Sequence, residues 1–420
     1  MSMLSSPLLV ACVAALAACA VAAAPSRGET PAAASSGAPA PASGSAAPAG
    51  KVALTPQSLD RWLSRAVTHI GLLATSPEPP TPTFDEDLAM LVDMGTRFVG
   101  RAAYQWNVAA DDEAFFRLVA ERAARVHAAA PDMVLQACVF ETTYPDVSRI
   151  RVPAWALEEF GLPAEDRGFR YDDMIYADGT FHGRWGRKGS VPDMGRPETR
   201  LWFYTRARQY IDAGCEAIHF GQYDLMCARP GGREAWADML ARVRAYAARR
   251  ARRGFVLADA HVLAEHAPES ITSGGRLLFD FLSYPLRPEE GDRPLEARLV
   301  VGHMHAIYGR SPGGVTPGGW RTEHLPYLAE FDNFGASGKP GQNIGGIWIW
   351  GYDECSWLAA MTPDARAAWL RYAYAWLAEH DPAARLQFCT RRPVTTDRGH
   401  EVWNDRTQAP IIKALWAATP

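Results

Sequence analysis

From residue 69 to residue 382, short apolar runs alternate with longer amphipathic ones, and no other feature narrows the fold as much. The runs "HIGLLAT" (69–75), "RFVGRAAYQWN" (97–107), "MVLQACVFE" (133–141) and "CEAIHFGQ" (215–222) read as strands one to four. The runs "GFVLADAH" (254–261), "RLLFDFLSYPLRP" (276–288), "PYLAEFDNFG" (326–335) and "IGGIWIWGYDE" (344–354) read as strands five to eight. Helical stretches lie between most of them. In "DDEAFFRLVAERAARVHAAAP" (111–131), Phe115, Leu118, Val119, Ala123 and Val126 share a face. In "TPDARAAWLRYAYAWLAEHDP" (362–382), Thr362 is the expected N-cap and Pro363 the first helical residue. Strands joined by helices call for a parallel sheet of the α/β class, and eight of them for a (β/α)8 TIM barrel. The barrel should be irregular around strands five to seven, because 262–275 and 289–325 carry little helix. A doubly wound open sheet is the alternative, but no G-x-G-x-x-G or G-x-x-x-x-G-K motif follows a strand, and nothing calls for a cofactor.

The 420 residues suit one large barrel with insertions. Residues 1–19 read as a secretory signal, since "PLLVACVAALAACAVAAA" is apolar, short and rich in small residues. Leu16-Ala17-Ala18-Cys19 resembles a bacterial lipobox, which would place a lipid on Cys19, and simple secretion with cleavage at an A-x-A-like site is the alternative. Residues 20–52, mostly Ala, Pro, Ser and Gly, cannot bury a core and read as a tether. The barrel is expected over 53–382 and a C-terminal appendage over 383–420. This layout places the protein outside the cytoplasm, in the cell envelope, touching a membrane only through a lipid anchor. A net charge of −4 gives no reason to expect nucleic-acid binding. No C-x-x-C pair exists, so a zinc knuckle is not expected, and the five cysteines beyond Cys19 read as buried free thiols.

Active sites in such barrels lie at the carboxyl ends of the strands, so the polar residues there matter most. The second strand ends in Arg101 and then Trp106, the third in Glu141, and the fourth in His219, Gln222 and Asp224. The fifth ends in Asp259 and His261, the sixth in Asp280, Tyr284 and Arg287, and the seventh in Glu330, Asp332 and Asn333. The eighth offers Trp348, Trp350, Asp353 and Glu354. Alternation on the fourth strand turns Ile218 and Phe220 outward, and Ala217, His219 and Gly221 inward. Small Gly221 beside His219 would leave space above it, as a pocket floor does. Several carboxylates around a mouth rich in tryptophan suit glycoside hydrolysis, which needs two carboxyl groups flanking the scissile bond. The long excursion 144–195 is expected to be functional or a small lid.

This set of strand-end residues resembles the clan A glycoside hydrolase barrels over most of 69–380. The resemblance implies that Arg101 ends strand two, Tyr284 follows strand six, Glu330 is the nucleophile or base ending strand seven, and Trp348 or Trp350 is a sugar platform. It also implies an Asn-Glu pair ending strand four, where this chain has Gly221-Gln222-Tyr223-Asp224. An amide cannot donate a proton as a carboxylic acid does. The acid would then be Asp224, Glu141 or Asp259, unless hydrolysis has been lost. Arg101, Trp106, His219, Gln222, Tyr284, Trp348, Trp350 and Asp353 would bind or orient a carbohydrate substrate.

Two rival readings stand beside this one. His303-Met304-His305 has the H-x-H spacing of a metal site and could join His261 and Asp259 in a metal-dependent hydrolase. The missing Asn-Glu pair fits a non-catalytic, carbohydrate-binding lipoprotein on a degenerate barrel.

Overall fold

A helix closes the floor of the barrel before any strand begins. In α1 (Pro56–Leu63), the Thr55 hydroxyl accepts the Ser58 N–H at 3.1 Å and Pro56 opens the first turn. Its Leu59, Trp62 and Leu63 pack with Ala66, Phe98, Val134, Ala217, Leu257, Phe281 and Leu328, the lowest inward residues of the strands. A tryptophan buried as fully as Trp62 removes ~200 Å² from water, roughly 5 kcal/mol at ~25 cal/mol per Å² before entropy is counted. The computed structural model describes residues 53–418, apart from 187, 264–267, 335–337 and 398. The expected signal, the lipid site at Cys19 and the tether of 20–52 lie outside the described residues.

The strands are β1 (Ala66–His69), β2 (Phe98–Gln105), β3 (Val134–Cys138), β4 (Ala217–Gln222), β5 (Leu257–His261), β6 (Leu282–Pro285), β7 (Tyr327–Glu330) and β8 (Ala384–Thr396). They pair in parallel in the order β5-β4-β3-β2-β1-β8-β7-β6, the circuit of a (β/α)8 barrel. The ladder lapses between β5 and β6. There the Asp280 N–H donates to the Ala258 carbonyl at 2.9 Å, and the Asp280 carboxylate accepts the Ala258 N–H at 2.9 Å. A side chain thus replaces one ladder bond across the seam. Burial raises the Asp280 carboxyl above its ordinary range, opposed by Arg244, which reaches it at 3.2 Å.

The helices α2 (Phe84–Met94), α3 (Asp112–Ala129), α4 (Pro197–Asp212) and α5 (Gly232–Arg250) follow β1 to β4. Asp111 caps α3, and Phe115, Val119, Ala123 and Val126 are buried as the spacing predicts, with Leu118 half-buried at the edge. From β5 to β7 the crossovers are short hairpins and turns, the irregularity expected there. Before β8 lie α6 (Glu354–Ala360) and α7 (Pro363–His380), the latter capped by Thr362. The antiparallel strand β9 (Gly399–Asn404) extends β8, and α8 (Ala409–Ala418) packs on α2.

Two strands differ from expectation. The first barrel strand is 66–69, not 69–75. Gly71 stands at φ +63°, where a Cβ would meet Thr75 Cγ2 at 2.6 Å, and it turns the chain so that 74–76 pairs separately with β2. The eighth strand is 384–396, not 344–354, so the barrel extends past residue 382 and the appendage begins at β9. The segment 344–354 holds three glycines at positive φ and a single bridge, Ile349 to Tyr352, within a loop. The true eighth strand hides behind polar residues. Gln387, Thr390, Arg391 and Arg392 are buried, and their side chains donate to the carbonyls of Val67, Thr68, Ile70 and Phe331 respectively.

Candidate active site

Above the apolar floor the barrel interior turns polar. Asp259 of β5 is fully buried and accepts three bonds, from Gln136 at 2.8 Å, Ser283 at 2.6 Å and His219 Nδ1 at 2.8 Å. With its lone pairs so engaged, Asp259 is a structural anchor below the mouth rather than a proton donor to a substrate. It fixes the His219 ring with the proton on Nδ1. Burial, ahead of the carboxylate beside it, holds His219 below the ordinary imidazole range.

One layer higher, Glu330 ends β7 and Arg101 lies across from it. Arg101 sits at φ +55°, where the register of β2 against β3 shifts between Val99 and Ala103. The irregularity turns its side chain inward, and its N–H is held by Gln136 at 3.0 Å. The guanidinium grips Glu330 with two donors, Nε to Oε2 at 3.1 Å and Nη2 to Oε1. His261 Nε2 meets Oε1 at 2.7 Å. Burial by itself would raise the Glu330 carboxyl, but Arg101 and His261 overcome it and hold the group well below the usual carboxylate range. Glu330 is therefore a committed anion. It can attack or stabilise positive charge, and it cannot serve as an acid.

Gln222 proves to be the partner of a second carboxylate. Its backbone N–H and side-chain amide donate to Glu141 at 3.1 and 3.0 Å. The β4 register against β5 shifts between His219 and Gln222, so the expected alternation ends at Gly221. Gly221 has φ +66°, and a Cβ there would lie 1.9 Å from Glu141 Oε2. The space that this glycine leaves is thus occupied by the Glu141 carboxylate. A wall of rings stands next to it. Trp106 packs 5.3 Å from Phe140 and 5.6 Å from Trp185, and the Trp185 indole donates to the Glu141 carbonyl at 2.9 Å. Trp185 comes from the 144–195 excursion, which Tyr144 ties down through its hydroxyl to the Trp185 carbonyl at 3.0 Å.

On the far side of Glu330, Arg287 reaches Glu354 at 2.8 Å and Asp332 at 3.0 Å. Burial opposes the ionisation of Asp332, yet Arg287 and then His261 lower it overall. Trp348 is half-buried with its ring 4.7 Å from Phe334, on which Arg287 lies at 5.1 Å.

Other expected site residues lie elsewhere. Asp224 sits in a helical turn past β4 and accepts the Leu263 N–H at 2.7 Å. It lines a cavity of about 400 Å³ with Tyr223, Cys227, Arg229 and Ser270, a cavity whose lining includes neither Glu141 nor Glu330. Tyr284 faces outward, because the inward partner on β6 is Ser283, and its ring packs 5.5 Å from Tyr327 in the outer core. Trp350 is buried in the 344–354 loop, its indole on the Glu296 carbonyl at 2.9 Å, and does not end a strand. Asp353 is fully buried as the N-cap of α6, accepting from the Ser356 N–H and hydroxyl at 2.9 and 2.6 Å. The shift of the eighth strand explains both of these last differences. His303 lies in a turn at 303–305, the His305 side chain lies outside the described ones, and no group of three or more His, Cys, Asp or Glu suited to a metal ion occurs among the described residues. Cys138, Cys215, Cys355 and Cys389 are buried free thiols, and Cys227 is free and half-buried.

His261, a metal ligand on the H-x-H reading, instead meets Glu330. Gln136, which links the Asp259 and Arg101 layers, sits inside an apolar strand with no motif around it. Its signal is period two, since Val134, Gln136 and Cys138 share the inward face.

Asp353 offers a test by pH. Burial pushes its carboxyl up to about 7, against the Ser356 donors. Between pH ~4 and about 7 the folded chain keeps a proton there that the unfolded chain has lost, so this group costs stability as pH rises through that window. Asp353→Asn mimics the neutral form. Its stability relative to the parent should grow by up to about 4 kcal/mol between pH ~4 and pH ~7.5 in urea melts. A difference that does not change with pH would contradict a neutral, buried Asp353.

Compared with known proteins, the chain matches no family model and no curated protein. Among solved structures it is similar to the glycoside hydrolase domain of PelA from Pseudomonas aeruginosa, at 14% identity and TM-score 0.32, covering 63% of this chain and 83% of that one. It is also similar to a beta-galacturonidase from Eisenbergiella tayi bound to galacturonate, at 11% identity and TM-score 0.40, covering 85% and 51%. A debranching enzyme from Nostoc punctiforme gives 14% identity and TM-score 0.30, covering 53% and 52%, so the chain spans about half the length of that enzyme.

Proposed function

We propose that this protein is a glycoside hydrolase of the cell envelope, acting on a poly- or oligosaccharide through two carboxyl groups, with Glu330 as nucleophile or base and Glu141 as acid. The observation that carries the reading is the clamped Glu330 anion at the carboxyl end of the barrel, with a second buried carboxylate, Glu141, held at the same mouth by Gln222. One group is locked as an anion by Arg101 and His261. The other is held by the donors of Gln222 and stands against a wall of rings. Two carboxyl groups at one mouth suit a reaction needing one to meet the anomeric carbon and one to protonate the leaving oxygen. Trp106 and Trp185, both half-buried, offer ring surface to a sugar. Export and lipid attachment at Cys19 are part of the same proposal and rest on the first 52 residues alone.

The test pairs cleavage with binding. Across a panel of oligosaccharides, the wild type should release reducing ends, and Glu141→Gln should keep binding while losing roughly 10²–10⁴ of the rate. An unchanged rate in Glu141→Gln would remove that residue from the chemistry. The second reading, a carbohydrate-binding barrel without catalysis, is favoured by Gln222 standing where clan A barrels carry their acid. Calorimetric binding with no cleavage of any tested glycan would establish it instead.

A further inference from the structure

Most arginines around the mouth are matched to carboxylates. Arg101 holds Glu330, Arg287 holds Glu354 and Asp332, and Arg229 pairs with Asp178. Arg184 breaks the pattern. It is half-buried, its Nε is sealed from solvent with no hydrogen-bond partner, and it has no ion pair among the described residues. Its guanidinium lies against two rings, 5.5 Å from the centre of Trp185 and 5.2 Å from that of Phe181. Trp185 is pinned to the Glu141 carbonyl, so Arg184 is held at the mouth within the field of the Glu141 carboxylate. Burial lowers the pKa of this guanidinium, and Glu141 restores only part of the loss. The surrounding sequence has the same sign. Residues 181–190 hold Arg184, Arg187 and Lys188 and no acid, within a chain of net charge −4.

A half-buried guanidinium with a sealed, unpartnered Nε and only the nearby Glu141 carboxylate as counter-charge is suited to receive an anion. Its planar fork, held beside Trp185 and Phe181, matches the oxygens of a carboxylate or a sulfate. We propose that the sugar bound at this mouth carries an anionic substituent, and that Arg184 receives it. The inference rests on the carbohydrate reading above and names its substrate class as an acidic glycan. Arg184 acts here as a specificity residue and takes no part in bond cleavage.

The experiment is titration calorimetry of the wild type, Arg184→Gln and Arg184→Lys with three sets of oligosaccharides: uronate-containing, sulfated and neutral. Reducing ends are measured in parallel. The wild type should prefer one acidic set over the neutral one by about tenfold or more, with affinity falling as salt rises. Which acidic set wins identifies the substituent as carboxylate or sulfate. Arg184→Gln should lose about tenfold in affinity and most of the salt dependence, while Arg184→Lys recovers part of both. Melting curves of both variants should overlay that of the wild type, since the side chain makes no ion pair among the described residues. Equal affinity for neutral and acidic glycans, or an Arg184→Gln affinity within about twofold of the wild type, would overturn the inference and leave the hydrolase reading standing. Acidic glycans bound but never cleaved would uphold the inference and remove the hydrolase reading. Binding of no glycan at all would overturn both.

Discussion

Glu330→Gln should abolish glycoside cleavage and also weaken the fold, and the two losses should be separable. The rate is expected to fall by roughly 10³-fold or more, because a neutral amide can neither attack the anomeric carbon nor stabilise positive charge on the sugar. Stability should drop by about 3–5 kcal/mol, because the buried Arg101 guanidinium loses its counter-charge and one of its two acceptors becomes an amide group. Removing both charges together in Arg101→Met/Glu330→Met should recover much of that stability without restoring any rate, since breaking a buried pair costs more than replacing it by apolar side chains. Urea denaturation and a reducing-end assay measure the two effects independently. A Glu330→Gln rate within about tenfold of the wild type would end the assignment of Glu330 to the chemistry.

Gly221→Ala should act through Glu141. The new Cβ costs about 1–2 kcal/mol in the left-handed conformation by itself. It would also stand 1.9 Å from Glu141 Oε2 and 2.8 Å from the Glu141 backbone nitrogen, so the carboxylate must leave its place beside Gln222. The total expected loss is roughly 3 kcal/mol, with a rate lowered about 100-fold by the displaced carboxylate. The diagnostic is a double-mutant cycle. In a Glu141→Ala background the side-chain clash is gone, so Gly221→Ala should cost about 1 kcal/mol or more less than in the wild type. Additive losses would mean that Gly221 and Glu141 do not share that space.

The clan A resemblance implies an Asn-Glu pair at the end of the fourth strand, and this chain carries two carboxylates at its mouth without one. Gln222 supplies two N–H donors to Glu141, which arrives from the end of β3, the neighbouring strand. The proposed acid lies one strand over from the position that the resemblance implies, and the amide at that position, Gln222, supports it.

The class of the fold and most strand ends are legible along the chain. Period-two runs such as "CEAIHFGQ" and long amphipathic helices such as 112–129 are local patterns, and local patterns survive into the fold because each element must bury its own apolar face. Arg101, Glu141 and Glu330 are likewise legible at the mouth, since the carboxyl ends of parallel strands share one side. Which polar residues meet follows from how the barrel closes. Asp259 and His219, equally polar on paper, became a buried anchor because Gln136 and Ser283 face them across the barrel. Tyr284 turned outward because Ser283 took the inward position. The eighth strand was hidden because its arginines are buried against carbonyls contributed by segments more than sixty residues away. Side-chain pairing across a closed sheet depends on register and on the bulges at Arg101 and Gly221, and those follow from three-dimensional closure rather than from any stretch of residues read along the chain.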